Sequence, residues 1–98
     1  MARIQFSARI DTDLARIVEH MREHASTDRD ERISSVIAAI DVLTASPLIG
    51  RPCEHGLREL VIGSGMRRYL ALYHDEERLD LMRILAIRSQ KESGYPPA

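Results

Sequence analysis

The hydrophobic pattern changes period several times along the chain, and each change marks an element. Ala2 to Phe6 alternates, with Ile4 and Phe6 on one side, which predicts a short strand. Ser7, Asp11 and Asp13 then carry helix-start chemistry, since side-chain oxygens cap free amides and acids favour the positive helix end. Ile10, Leu14, Ile17, Val18 and Met21 recur at helical spacing, with Arg16, Glu19, Arg22 and Glu23 opposite, so an amphipathic helix runs to near Ala25. Thr27 to Glu31 is a break and a restart. Asp28 and Glu31 stand at capping-box spacing, with Asp in place of the usual Ser or Thr. Ile33, Val36, Ile37, Ile40 and Leu43 form a second stripe, which Pro47 stops. Two helices joined by so short a polar link form a helical hairpin.

Residues 46–56 hold two of the four prolines and two of the five glycines and read as a loop. Beyond it the period falls to that of strands. Leu57 to Ile62 is one strand, Gly63-Ser64-Gly65 a turn, and Met66 to Tyr73 the next strand. His74 to Arg78 is a polar hairpin loop, Leu79 to Arg88 the last strand, and Ser89 to Tyr95 a polar tail. Consecutive strands with short links predict an antiparallel meander. The order is β-α-α-β-β-β. It predicts an α+β domain with the helical hairpin on one face of a small antiparallel sheet and a more polar opposite face. Residues 1–98 hold no linker or repeat and are read as one domain.

Composition narrows the function. Apolar residues make up 44% of the chain, enough for a folded core. Three Tyr, one Phe and no Trp argue against a base-stacking platform for single-stranded nucleic acid. With 14 basic against 15 acidic residues, a nucleic-acid target requires local clustering of the positive charge, and a protein partner is favoured. Cys53 is the single cysteine, so no internal disulfide forms. No apolar signal segment or membrane-spanning run is present, and the expected location is the cytoplasm.

Candidate chemistry is sparse. His20 and His24 share a helix face at a spacing of four, yet a zinc site needs more ligands and a second shell. A solvated helix flank accounts for them. Cys53 and His55 lie in a Pro/Gly loop without a third member. Gly63-Ser64-Gly65 does not precede a helix and is a turn, not a phosphate cradle. No metal or cofactor site is expected. The basic set Arg58, Arg67, Arg68, Arg83, Arg88 and Lys91 falls in the C-terminal half. RNA cleavage needs a base, an acid and cations on the phosphorane. Glu59 or His74 can serve as base, Arg58, Arg68 or Arg88 as clamp, and Tyr95 as acid. Against this, Arg58 and Glu59 point to opposite faces of their strand. The plainer alternative is that the arginines cover sheet rims and pair with Glu54, Glu59, Asp80 and Glu92.

Several segments, in order, resemble the ParE/RelE toxin superfamily of type II toxin–antitoxin systems, often labelled plasmid stabilisation proteins. They are the strand and helical hairpin, Gly50-Arg51-Pro52 before Leu57-Arg58-Glu59-Leu60-Val61-Ile62, Tyr69-Leu70-Ala71-Leu72-Tyr73, and Ile84 through Tyr95. The resemblance covers essentially the whole chain and implies the βααβββ fold. It implies one of two activities. RelE-like members are ribosome-dependent mRNA endonucleases, to whose pattern Arg68, Arg88 and Tyr95 can be matched, with Arg58 as an additional cation. The lysines that this pattern places on the strand at Leu57–Ile62 are missing here. ParE-like members poison DNA gyrase by a protein–protein contact, and the neutral charge favours that branch, with Arg88, Lys91 and Tyr95 as target-binding residues. Both branches imply a cognate antitoxin whose disordered C-terminal segment folds on the toxin, with Leu14, Val18 and Met21 as contact residues. Core packing is the competing role for those three. A non-toxic binding or regulatory module on the same fold is the remaining alternative.

Overall fold

The strand at Leu81–Ser89 joins the N-terminal strand to the rest of the sheet. The computed structural model describes residues 3–23, 29–63 and 68–95. In chain order these form β1 (Arg3–Phe6), α1 (Arg9–Glu23), α2 (Arg29–Asp41), β2 (Arg51–Pro52), β3 (Arg58–Ile62), β4 (Tyr69–Glu76) and β5 (Leu81–Ser89). The sheet order is β1-β5-β4-β3-β2. Strands β3, β4 and β5 form the expected antiparallel meander. β1 joins β5 in parallel, with Arg3 opposite Leu81 and Phe6 opposite Ile84, so the sheet is mixed and not purely antiparallel. It can do so because β1 leaves the sheet through a helical hairpin and not through a tight turn.

One sheet face takes both helices. Ile10, Ile17, Val36, Ile40 and Leu43 pack against Leu60, Ile62, Tyr69, Ala71, Tyr73, Met82, Ile84 and Ile87. Three boundaries differ from the sequence expectation. α2 ends at Asp41 and tightens into a 3₁₀ turn over Val42–Thr44, several residues before Pro47. The loop at 46–56 contains β2, where Arg51 pairs with Glu59 and Pro52 with Arg58. The β4–β5 hairpin is longer than predicted, because polar His74, Asp75 and Glu76 continue the ladder and the turn falls at Glu77–Asp80. The Asp28 cap, residues 64 and 65 of the expected Gly63-Ser64-Gly65 turn, and the expected strand start at Met66 and Arg67 lie outside the described residues.

Three local devices shape the molecule. Leu72 pairs with Ala86 and Tyr73 with Ile84, so Leu85 has no opposite residue and forms a bulge that resets the alternation of β5. Beyond Phe6 the β1 side of β5 is closed by groups from Ser7 and α1. Ser7 Oγ donates to the Leu85 carbonyl (2.9 Å), Asp13 accepts the Ile87 N–H (3.0 Å), and Arg16 donates to the Ile87 carbonyl (3.0 Å). Across the sheet, the buried Tyr73 hydroxyl donates to the Pro47 carbonyl (2.8 Å) and accepts the Gly50 N–H (2.9 Å), which ties the proline loop to β4. No helix among the described residues is long and apolar enough to cross a membrane.

Candidate interaction site on the open sheet face

The face turned away from the helices is set by alternation. It carries Glu59 and Val61 from β3, Leu70 and Leu72 from β4, and Ala86 and Arg88 from β5. The registers put Val61, Leu70 and Arg88 in one row, and Glu59, Leu72 and Ala86 in the next. A charge cluster sits on this face. The Glu59 carboxylate, 6% exposed, accepts bonds from the Arg51 guanidinium at Oε1 (Nε at 3.0 Å) and from the Tyr95 hydroxyl at Oε2 (2.7 Å). The Arg88 guanidinium lies 5.1 Å from the centre of the Tyr95 ring, within cation–π range. Its Nη1 donates to the Glu92 carbonyl (2.7 Å), while its Nε is buried without a hydrogen-bond partner among the described residues.

The tail that delivers Tyr95 is anchored first on the other side of β5. Glu92 accepts the Arg16 Nε (2.6 Å) and the Ser89 N–H (2.8 Å), and Arg16 also donates to Asp13 (2.8 Å). Burial disfavours the charged Arg16, yet its bonds to Glu92 and Asp13 raise its pKa. Burial alone would push Glu59 up. The hydrogen bonds from Tyr95 and Arg51, with the charges of Arg51 and Arg88, hold its carboxyl below the usual range. Burial and the bond to Glu59 push the Tyr95 hydroxyl well above the ordinary tyrosine value. A tyrosine in that state is a poor proton donor to a leaving group. The arrangement stores its hydrogen bonds internally and suits recognition better than proton transfer.

The sequence candidates separate across the molecule. Arg88 and Tyr95 come together on the open face. Arg58 lies on the helix side of β3, opposite Tyr73, and donates to the Gly50 (2.7 Å) and Leu48 (3.2 Å) carbonyls. It is removed from Arg88 by the thickness of the sheet and fixes the proline loop. Arg68 is exposed at the start of β4, and its carbonyl accepts the Gln90 N–H (2.9 Å), so it flanks the tail. Lys91 is exposed in the tail itself. Leu14 is half-buried against the core. Val18 and Met21 lie on α1, but their side chains, like that of His20, fall outside the described residues, as does His24. Arg67 is also outside them.

His74 is at the far end of the open face, beside Glu76 (3.6 Å), which also accepts Arg83 (3.3 Å). His55 faces Glu54 (3.9 Å) and not Cys53, whose thiol lies 3.7 Å from the Arg51 carbonyl. No group of three or more His, Cys, Asp or Glu suited to a metal occurs among the described residues. Of the expected rim pairs, Glu59 and Glu92 do bind arginines, but these are Arg51 and Arg16. Arg51 was the residue missed. It sits in a segment read as loop, and the only hint was an acidic residue inside an apolar strand that needed a partner.

Comparison with known proteins places this geometry. Residues 4–94 match the family model described as ParE toxin of type II toxin-antitoxin system, parDE. A solved structure titled as the chromosomal ParDE TA system from P. aeruginosa superposes with a TM-score of 0.75 at 19% identity, covering 91% of this chain and 96% of that one. A second, titled as a metal-bound toxin from Helicobacter pylori, gives a TM-score of 0.54 at 16% identity, covering 96% of this chain and 100% of that one. At these identities the two structures establish the shared fold. No curated protein matches.

Proposed function

Since the chain belongs to the ParE toxin family of type II toxin–antitoxin systems, we propose that it inhibits DNA gyrase in the cytoplasm by a protein–protein contact and is neutralised by a cognate antitoxin. The observation that carries the choice of mechanism is the position of Glu59. Its carboxylate occupies the centre of the Arg51, Tyr95 and Arg88 group, where a scissile phosphate would have to sit. An internal anion there repels a phosphodiester and neutralises the cations that would stabilise its transition state. Arg58, the other candidate clamp, is on the opposite face and bound to carbonyls. The near-neutral charge argues in the same direction.

Arg88, Lys91 and Tyr95 are the proposed target contacts: Arg88 and Tyr95 meet on the open face, and Lys91 is exposed in the tail that carries Tyr95, beside Arg16 and Glu92. The antitoxin is proposed to meet the α1 face of Leu14, Val18 and Met21. A strand from it can extend the sheet at β1, which lies at the end of the strand order with Phe6 and Ile37 exposed beside it.

The test is inducible expression of the chain alone in a bacterial host, together with a supercoiling assay on purified gyrase. A DNA damage response with intact mRNA, and loss of supercoiling, is the expected result. Cleaved mRNA with halted translation and no damage response would replace this reading with a ribonuclease, the reading that the pairing of Arg88 with Tyr95 favours. Harmless expression of folded protein, with gyrase unaffected, would point to a binding module without toxicity.

A further inference from the structure

Leu70 and Ala86 are 5% and 2% exposed, although both lie on the face that carries no helix. Among the described residues the returning tail is the segment seen on that face, where Tyr95 meets Glu59 at its centre and Arg88 beside it. The tail is held very unevenly. Up to Glu92 it is fixed by the Arg16 pair and by bonds from Gln90, Lys91 and Glu92 back to Arg68 and Ser89. Beyond Glu92, Ser93 and Gly94 make no hydrogen bond among the described residues, and nothing lies within 4 Å of where a Gly94 Cβ would stand. Among the described residues the stretch from Ser93 to Tyr95 therefore rests on one side chain, Tyr95, through its hydroxyl and its ring. The closed state also leaves the buried Arg88 Nε without an acceptor among the described residues, a defect that favours opening.

We propose that Ser93–Tyr95 is a displaceable strap, and that the strip it covers (Leu70, Leu72 and Ala86, ending at Arg88) is a docking surface for an apolar protein segment bearing a carboxylate. The partner's chemistry follows from what the strap leaves unsatisfied. An incoming aliphatic side chain replaces the Tyr95 ring over Leu70 and Ala86. An incoming carboxylate takes the Arg88 guanidinium, including the Nε–H that has no acceptor while the strap is closed. Glu59 need not move, because Arg51 continues to neutralise it. The inference rests on protein contact as the mode of action, but not on gyrase being the partner.

Thiol labelling tests the strap. Ala86→Cys is placed in a Cys53→Ser background and its rate of reaction with a maleimide is measured, which reports how often the face is uncovered. Adding Tyr95→Phe removes the bond to Glu59 and keeps the ring, whereas Tyr95→Ala removes both. The rate should rise in that order, by about tenfold or more for Tyr95→Ala. A rate no faster in Tyr95→Ala than in the parent, with both folded by circular dichroism, overturns the strap. The docking surface is tested in the otherwise unchanged Tyr95→Ala chain by fluorescence polarisation. The probes are fluorescein-labelled Leu-Glu-Leu-Glu-Leu and the same peptide with Gln for Glu. Tighter binding of the Glu peptide, weakened by Arg88→Gln, is expected, and equal binding of the two peptides overturns the carboxylate assignment. Neither readout uses toxicity, so failure of the gyrase reading leaves both results interpretable.

Discussion

Tyr73 is fully buried, yet its hydroxyl has a donor and an acceptor, and both come from the proline loop. Burial raises its pKa, which keeps it protonated and able to donate to Pro47. A Cβ on Gly50 would stand 2.6 Å from the Tyr73 ring, so a side chain there forces the loop off β4. Gly50→Ala should cost about 1–3 kcal/mol in urea unfolding, as for other overpacked sites. Tyr73→Phe leaves the Gly50 N–H and the Pro47 carbonyl unpaired and should cost a similar ~1–3 kcal/mol. Because the hydroxyl is one of the clashing atoms, Gly50→Ala should be milder in the Phe background than alone.

Glu59 gives a prediction in pH. Its folded pKa lies below the unfolded value of about 4.3. Its contribution to stability is therefore complete above that value and is lost as pH falls through the folded pKa. Glu59→Gln cannot titrate, so its stability should fall less steeply below pH ~4.3 than that of the parent. Parallel acid-unfolding curves for the two proteins would remove Glu59 from the account. At this scale the sequence was half legible. The acid in an apolar strand was visible and was named as a pairing group. Its partners were not, because Tyr95 is brought back by the chain's return over the sheet and Arg51 stands in a loop-like segment.

The elements were readable where hydrophobic period alone decides them, as in both helices and the β3–β5 meander. They were not readable where a single residue breaks the period. Strict alternation along β5 puts Arg83 and Arg88, five positions apart, on opposite faces. The unpaired Leu85 reverses that parity, and both arginines lie on the open face. The parallel entry of β1 was hidden for another reason: pairing direction depends on the path between strands, which the alternation of Ile4 and Phe6 does not encode. Asp13 shows how a helix residue finishes the sheet. It was read as a helix-start acid, yet it is 1% exposed and joins Arg9 and Arg16 to the Ile87 N–H. Asp13→Ala removes one buried partner from Arg9 and from Arg16 and leaves the Ile87 N–H without its acceptor, and should cost about 3 kcal/mol. Asp13→Asn retains an acceptor for Ile87 and should cost less. Equal losses by thermal unfolding would mean that charge pairing, and not the strand edge, sets its role.

At the scale of the molecule, the fold separates basic residues that the sequence presents as one set. Arg58 holds the proline loop on the helix side, whereas Arg88 lies on the open side and Lys91 is exposed in the tail, beside Arg16 and Glu92. The two sets should therefore fail differently when changed. Arg58→Ala loses two charge-assisted bonds to carbonyls and should lower stability by about 1.5–3 kcal/mol. If the proposed gyrase contact holds, inhibition of gyrase by this variant, measured per folded molecule below the melting range, should stay near that of the parent. Lys91→Glu changes an exposed side chain that has no partner among the described residues and should leave the melting temperature within a degree or so. Reversing a charge at the proposed contact should nonetheless weaken inhibition by roughly tenfold or more. The opposite pattern, with Arg58→Ala stable but inactive and Lys91→Glu fully active, would move the target surface to the helix side of the sheet. It would also place the proline loop, with exposed Leu48 and Ile49, at the centre of the contact in place of the tail.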